Sequence, residues 1–194
     1  MKNIIMILML LVSTSCIMHT SAPKESSDFS QVTSIHQFKG IYKNAGDPKG
    51  YLSQIIWTNK YMVNKTWKGF EHKDIELIEV ASTDNTLTVN AIKGNCIVYS
   101  EEYVLNRDFN IADGKIVLKK DSHLLSRGGG DVLAGPSHEK VELGLDEKGD
   151  GKYKSQTYFA GMIFMLVPMA GSGTTEIKFI KLNNNTTYNK CESR

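Results

Sequence analysis

From residue 36 onward, the pattern of apolar and polar positions gives strand signals, with no convincing stretch of helical periodicity longer than about ten residues. Residues 38–42 open the series. Residues 51–57, 75–81, 86–92 and 96–105 continue it, each rich in β-branched and aromatic side chains. In the last of these, Ile97, Tyr99, Tyr103 and Leu105 share one face, which Glu101 interrupts. Val141, Leu143 and Leu145 alternate with Glu142, Gly144 and Asp146, the pattern of a strand wet on one side. Turn formers crowd residues 44–50, 84–85 and 93–95, and the pairs Asp113-Gly114 and Asp150-Gly151 predict type I′ hairpins. Residues 161–170 are the most hydrophobic stretch outside the N-terminus. They are too few to cross a bilayer as a helix, and Pro168 disfavours one, so they predict a strand buried on both faces or lining a barrel interior. Gly171-Ser172-Gly173 then reads as a turn before a last strand at 174–182, and residues 58–74, with Trp67 and Phe70, read as a short helix or turn. The fold expected is mainly β: a single antiparallel barrel or sandwich of about 8–10 strands, with at most one short helix.

The N-terminus follows a different pattern. Lys2 precedes nine consecutive apolar residues, Ile4 to Val12, and Ser13-Thr14-Ser15-Cys16 closes the run. That length fits the apolar region of a signal peptide and falls short of the ~20 residues of a membrane-spanning helix. The small residues before Cys16 resemble the lipobox of bacterial lipoproteins, although Ser13 stands where that motif usually carries Leu. The resemblance implies cleavage before Cys16, a diacylglyceryl thioether on its sulfur and an acylated amino terminus. Two or three such chains, at ~0.8 kcal/mol per buried methylene, anchor a protein stably. Ile17 follows, where an Asp would imply inner-membrane retention. The implied destination is therefore the outer membrane of a bacterial envelope, facing the periplasm or the cell surface. The other reading is an ordinary signal peptide cut nearby, with Cys16 left as a thiol. The resulting organisation is a signal peptide at 1–15, a lipidated flexible tether at 16–34 and one β domain at 35–194. The tether reading rests on a composition that contains Ser, Thr, Lys, Glu and Pro23 and few large apolar groups.

The whole chain carries 23 basic and 21 acidic residues, and removing residues 1–15 takes away one lysine and no acid. A nearly neutral exported chain offers no basic surface for nucleic acid. With Cys16 lipidated, Cys96 and Cys191 remain, and in an oxidising compartment they are expected to pair. Closing a loop of about 95 residues contributes roughly 4–5 kcal/mol in the chain-entropy account. The alternative is two unrelated thiols.

Phe38-Lys39-Gly40-Ile41-Tyr42 resembles the Gly-x-Trp or Gly-x-Tyr first strand of lipocalin-like barrels, and a disulfide from the C-terminal tail to a barrel strand is also similar to that group. This resemblance favours a lipocalin-like barrel. Val167-Pro168, the Gly-Ser-Gly segment and the Ile177-x-Phe179-x-x-Leu182 strand together resemble small uncharacterised bacterial lipoproteins.

Chemistry is sparse in this sequence. His19, His36, His72, His123 and His138 include no pair at i, i+2 or i, i+4, and Glu71-His72-x-Asp74 is an ordinary polar triplet, so no metal site is expected. Residues 146–151 begin like a calcium loop, but Lys148 occupies a ligand position and Thr157 stands where a bidentate Glu is required. Neither Ser137 nor Ser172 sits in a Gly-x-Ser-x-Gly elbow, and Glu101 and Glu102, adjacent on a strand, point to opposite faces. Residues 121–140 exceed an ordinary connection and read as a loop. Within it, Arg127, Gly128, Gly129 and Gly130 are candidates to present backbone amides to an anion, plain flexibility being the other reading.

These readings lead to a membrane-anchored, non-enzymatic envelope lipoprotein without a cofactor, binding a small apolar ligand or an envelope protein. The alternatives are a protein-binding accessory or inhibitor using loops and a sheet face, and a hydrolase with an unrecognised site.

Overall fold

A computed structural model describes residues 20–61, 71–118, 124–125, 133–163, 167–183 and 188–190. The first elements are β1 (Gly40–Lys43), β2 (Ala45–Gly46), β3 (Gly50–Tyr51) and a helix α1 (Leu52–Tyr61). Strands β4 (Leu77–Ser82), β5 (Thr86–Lys93), β6 (Cys96–Val104), β7 (Phe109–Ala112), β8 (Lys115–Leu118) and β9 (Leu124–Leu125) follow. Next come β10 (Leu133–Leu145), β11 (Gly151–Ile163), β12 (Val167–Phe179), β13 (Lys181–Leu182) and β14 (Asn189–Lys190). Short 3-10 turns cover Ile35–Phe38 and His72–Asp74. The protein is mainly β with one short α-helix among the described residues.

The chain divides into two compact units where length alone suggested one domain. The larger comprises Ser21–Lys120, Val141–Ser155 and Thr175–Arg194; the smaller comprises Met1–Thr20, Asp121–Lys140 and Gln156–Thr174. In the smaller unit β9 pairs antiparallel with the first part of β10, Gly135 opposite Leu125 and Pro136 opposite Leu124. Residues 133–140, expected in a long loop, are therefore strand.

Two open sheets organise the fold. One has the order β13-β1-β4-β5-β6-β14 and the other β12-β11-β10-β8-β7. Within the larger unit, one apolar cluster joins residues of both sheets: Tyr42, Ile78, Leu87 and Val89 from the first, Phe109, Ile116, Leu145 and Phe179 from the second. The core thus forms between two sheets, as in a sandwich, and neither strand order closes on itself in the manner of the favoured lipocalin-like barrel. Where the chain leaves β6 for β7, only a single bridge, Leu105 to Phe109, is made.

Turn chemistry positions the strands. Between β7 and β8, Asp113 and Gly114 both take positive φ (51° and 72°), the type I′ geometry their sequence predicts. The Asp150-Gly151 hairpin is displaced. The Asp146 carbonyl accepts from Gly149 N–H, its side chain accepts from the N–H groups of Lys148 and Asp150, and Gly149 carries the positive φ of 84°. Gly151 instead begins β11. Gly171-Ser172-Gly173 is likewise not a turn but the interior of β12. The two strands that share the apolar stretch end at Ile163 and begin at Val167, so the ladder outweighs the local preference of the small residues.

Residues 51–57, read as a strand, lie mostly in α1. Leu52, Ile55 and Ile56 are spaced i, i+3, i+4, which puts them on one helical face, and Leu52 and Trp57 are buried. The helix start is fixed from outside. The fully buried Asn44 accepts Leu52 N–H at its carbonyl (2.9 Å) and Ser53 N–H at Oδ1 (2.8 Å), while its Nδ2 donates to the carbonyls of His72 and Ile75 (2.8 and 2.9 Å). One side chain thereby satisfies an orphan helix donor and two buried carbonyls.

Residues 21–34, expected in a flexible tether, are a packed strap. Ser21 bridges Thr175, Phe29 bridges Asp146, and Pro23 and Val32 are buried. Composition misleads here because the strap's polarity is internally used: its serines and carbonyls bond to groups of the sheet beneath. Two glycines make room for it. A Cβ on Gly144 would lie 2.5 Å from the Phe29 ring, and one on Gly114 would lie 2.5 Å from Val32 N.

Candidate functional site

Between the two sheets of the larger unit lies a partly open cavity of about 90 Å³. Phe38 and Tyr42 wall one end, Val80, Leu87 and Val89 one sheet face, and Phe109, Ile116 and Phe179 the other. The alternation of β5 places Leu87 and Val89 inward, opposite Tyr103 and Glu101 of β6, respectively. The break that Glu101 makes in the apolar face of β6 is closed by hydrogen bonding, since the Tyr103 hydroxyl donates to its Oε2 at 3.0 Å.

The polar atoms bordering this cavity are engaged. The Tyr42 hydroxyl donates to the Phe38 carbonyl at 2.8 Å, and burial, with the charge of Asp150, pushes its pKa well above the usual tyrosine value. Lys152 directs its ammonium away, to Glu176 (3.2 Å) and to the Ser27 carbonyl. A pocket whose polar groups already have partners favours an occupant that asks for none.

Under the strap lies a set of ion pairs in which Glu142, Asp146 and Lys152 are buried and their partners partly buried. Glu176 joins Lys152 and Lys154, Lys178 joins Asp146 and Asp150 at 3.0 Å each, and Lys115 joins Glu142 at 2.9 Å. Ser26 and Ser27 donate to Glu176 and Asp146, and the Phe29 ring lies between the ammonium groups of Lys115 (5.3 Å) and Lys152 (5.1 Å). Burial alone would raise the Asp146 carboxyl. The bonds from Lys178, the Asp150 N–H and Ser27 outweigh it and hold the group below the ordinary range; Lys154, Lys152 and Ser26 do the same for Glu176.

Two serine–histidine contacts were not read from the sequence. His36 Nδ1 lies 3.0 Å from Ser82 Oγ and its Nε2 lies 3.2 Å from Asp84 Oδ1. The types are those of a nucleophilic triad, but the His36 and Asp84 side chains are 53% and 94% exposed, so water competes at every position. His72 Nδ1 lies 3.1 Å from Ser53 Oγ, and Ser53 is fully buried at the start of α1, out of reach of a substrate. Burial holds the His72 pKa below the usual histidine value. Ser82 and Asp84 straddle a strand end, and their meeting with His36 depends on packing of the 3-10 turn at Ile35–Phe38, which local pattern does not show.

Cys96 begins β6, and β14 pairs parallel beside it, Asn189 opposite Cys96 and Lys190 opposite Ile97. Cys16, Cys191, Arg127, Gly128, Gly129 and Gly130 lie outside the described residues. Among the described residues no group of three His, Cys, Asp or Glu side chains is placed to hold a metal ion, and no helix is long and apolar enough to cross a membrane. Glu71 and Asp74 of the polar triplet pair instead with Lys73 (2.6 Å) and Lys93 (3.3 Å).

No known protein family, curated protein or solved structure matches this chain.

Proposed function

We propose that the protein is a lipoprotein of the bacterial envelope, anchored through acyl chains on Cys16, that carries out no chemistry and takes a small apolar ligand into the cavity between its sheets. The cavity carries this reading: aromatic and aliphatic side chains converge on it, and its bordering polar groups are already hydrogen-bonded. Burial of hydrocarbon at about 25 cal/mol per Å² then supplies the affinity. Anchoring on the outer membrane keeps such a site beside a source of apolar molecules.

The test uses the neutral dye N-phenyl-1-naphthylamine, which fluoresces on entering apolar sites. Uptake by the native chain, weakened at least tenfold by filling the cavity with Val89→Phe at unchanged circular dichroism, supports the proposal. Absence of uptake by the native chain overturns it. Intact mass of protein extracted from native membranes reads the anchor separately, since the proposal requires acyl mass on the peptide that begins at Cys16.

The surface trio of His36, Ser82 and Asp84 favours a second reading, a hydrolase. Ester hydrolysis that disappears in Ser82→Ala would establish it in place of the binding reading.

A further inference from the structure

No charged residue stands between Lys154 and Glu176. β11 and β12 divide this run almost equally, β11 ending at Ile163 and β12 beginning at Val167. The two strands are neighbours in their sheet, and a connection of three residues allows only antiparallel pairing, since parallel strands need a crossover of about a dozen or more. The charge-free run is thus a β-hairpin, and its apolar part, 159–170, occupies the halves of the two strands toward the turn. The described side chains that border the apolar part face solvent: Tyr158 is 51% exposed, and Ala170 is exposed. β12 is also the last strand of its sheet, and its bridges to Ser21 and Asp47 fall at Thr175 and Lys178, beyond the apolar part. An apolar edge strand of this kind needs a cover.

The N-terminal segment selects the occupant. Ser21 bridges Thr175 of β12, and its carbonyl accepts the Glu176 N–H at 2.8 Å. Cys16, the expected site of acylation, stands five residues before Ser21, a reach of at most about 18 Å. Acyl chains embedded in a bilayer therefore hold Thr175 within roughly 25 Å of it. From Thr175 back to Val167, β12 covers a similar length, about 26 Å at ~3.3 Å per residue. In the other direction it leads to Glu176 and Lys178, whose charges are matched by Lys152 and Lys154 and by Asp146 and Asp150. Only the end without charge can enter a lipid surface at little cost.

We propose that the apolar ends of β11 and β12, 159–163 and 167–170, dock on the lipid leaflet that holds the acyl chains of Cys16, as a second membrane contact. This rests on the anchor reading above and adds to it a lipid-binding surface on the folded chain. Hydrocarbon cannot satisfy the N–H and C=O groups of an open strand edge, so the hairpin does not span the bilayer. Its backbone stays at the level of the headgroups, and its apolar side chains reach the acyl region. Tyr158, an exposed ring with a polar hydroxyl, suits the headgroup level.

The experiment uses the acylated protein, extracted from native membranes and reconstituted into vesicles of phosphatidylethanolamine and phosphatidylglycerol, with and without bromine on the acyl chains. The emission that Ile163→Trp adds to the native chain is expected to fall at least twofold in the brominated vesicles. The emission added by Ile111→Trp, at an exposed position of β7, is expected to stay nearly unchanged. Ile163→Asp combined with Val167→Asp, at unchanged circular dichroism, is expected to speed transfer of the acylated protein between vesicles at least tenfold. Emission from Ile163→Trp that bromine does not quench, the result expected if another protein covers the hairpin, overturns the proposal. Quenching no greater than that of Ile111→Trp, or transfer unchanged by the two aspartates, overturns it as well. In each of these cases acyl mass on Cys16 keeps the anchor reading in place. Absence of that mass overturns both.

Discussion

The Phe29 ring rests on Gly144, so closely that a Cβ there would stand 2.5 Å from the ring's Cδ1. The backbone of Phe29 is fixed by its bridge to Asp146, and the Ser30 N–H donates to the Leu145 carbonyl at 2.8 Å, so the ring has little freedom to withdraw. Gly144→Ala is therefore expected to destabilise the fold by about 1–3 kcal/mol through overpacking. Trypsin cleavage after Lys24 is expected to accelerate as the strap lifts. In a Phe29→Ala background the same substitution should cost less than half as much, and urea unfolding of the four-protein cycle measures the coupling.

Asn44 serves α1 and the turn at His72–Asp74 at once. Asn44→Ala leaves the Ser53 N–H and the carbonyls of His72 and Ile75 without the partner they have now, a loss of roughly 3 kcal/mol. Asn44→Asp is expected to be worse at neutral pH, because an ionised oxygen would replace Nδ2 against two carbonyl oxygens, and to recover partly in acid. Chemical denaturation of both variants at pH 7 and pH 5 tests this ordering.

The contrast between Asp113-Gly114 and Asp150-Gly151 marks how far the fold was legible. The first pair takes the hairpin that its residues prefer; the second is overruled by Asp146, whose carboxylate gathers the N–H groups of Lys148 and Asp150 and moves the turn toward Gly149. The strands at 75–81, 86–92 and 96–105 were legible because β-branched and aromatic side chains crowd them, and in β5 burial also alternates residue by residue as far as Ala91. α1 was not, since Ile55 and Ile56 favour strands locally and the helix start depends on Asn44 from another segment. The strap was read as a tether for a related reason: a serine that bonds to a buried carboxylate has the same letter as one in water. Of the candidate site, the strand that carries Leu87 and Val89 was legible, but their convergence with Phe109 and Phe179 was not, because packing between the two sheets sets it.

Acid should weaken the protein in two steps. Burial depresses the pKa of His72, so the unfolded chain binds that proton first and stability falls as pH drops below about 6.5. Asp146 and Glu176 are also depressed. The stability their bonds contribute is whole above the ordinary carboxylate values of 3.8 and 4.5 and is lost as pH falls through and below them. Each group contributes a slope of at most about 1.4 kcal/mol per pH unit. Urea midpoints measured from pH 8 to pH 3 are expected to decline in both windows, and His72→Gln should flatten only the upper one. A midpoint unchanged between pH 7 and pH 5.5 would contradict the role given to His72.

The last prediction concerns the tail. Parallel pairing sets Lys190 opposite Ile97 and Asn189 opposite Cys96, and Cys191 follows Lys190 in sequence. A two-residue strand adds little pairing energy of its own, and an edge held so weakly needs a covalent link to persist. We expect Cys96 to be joined to Cys191 in the exported protein, contributing roughly 2–5 kcal/mol by restricting the unfolded chain. Peptide mapping without reductant should recover the two cysteines in one linked fragment. Cys191→Ser should lower the urea midpoint and speed amide exchange at residues 189–190 while β4 and β5 keep their protection. Recovery of both thiols in reactive form from protein exported by its native host would contradict the pairing and leave β14 held by backbone bonds alone.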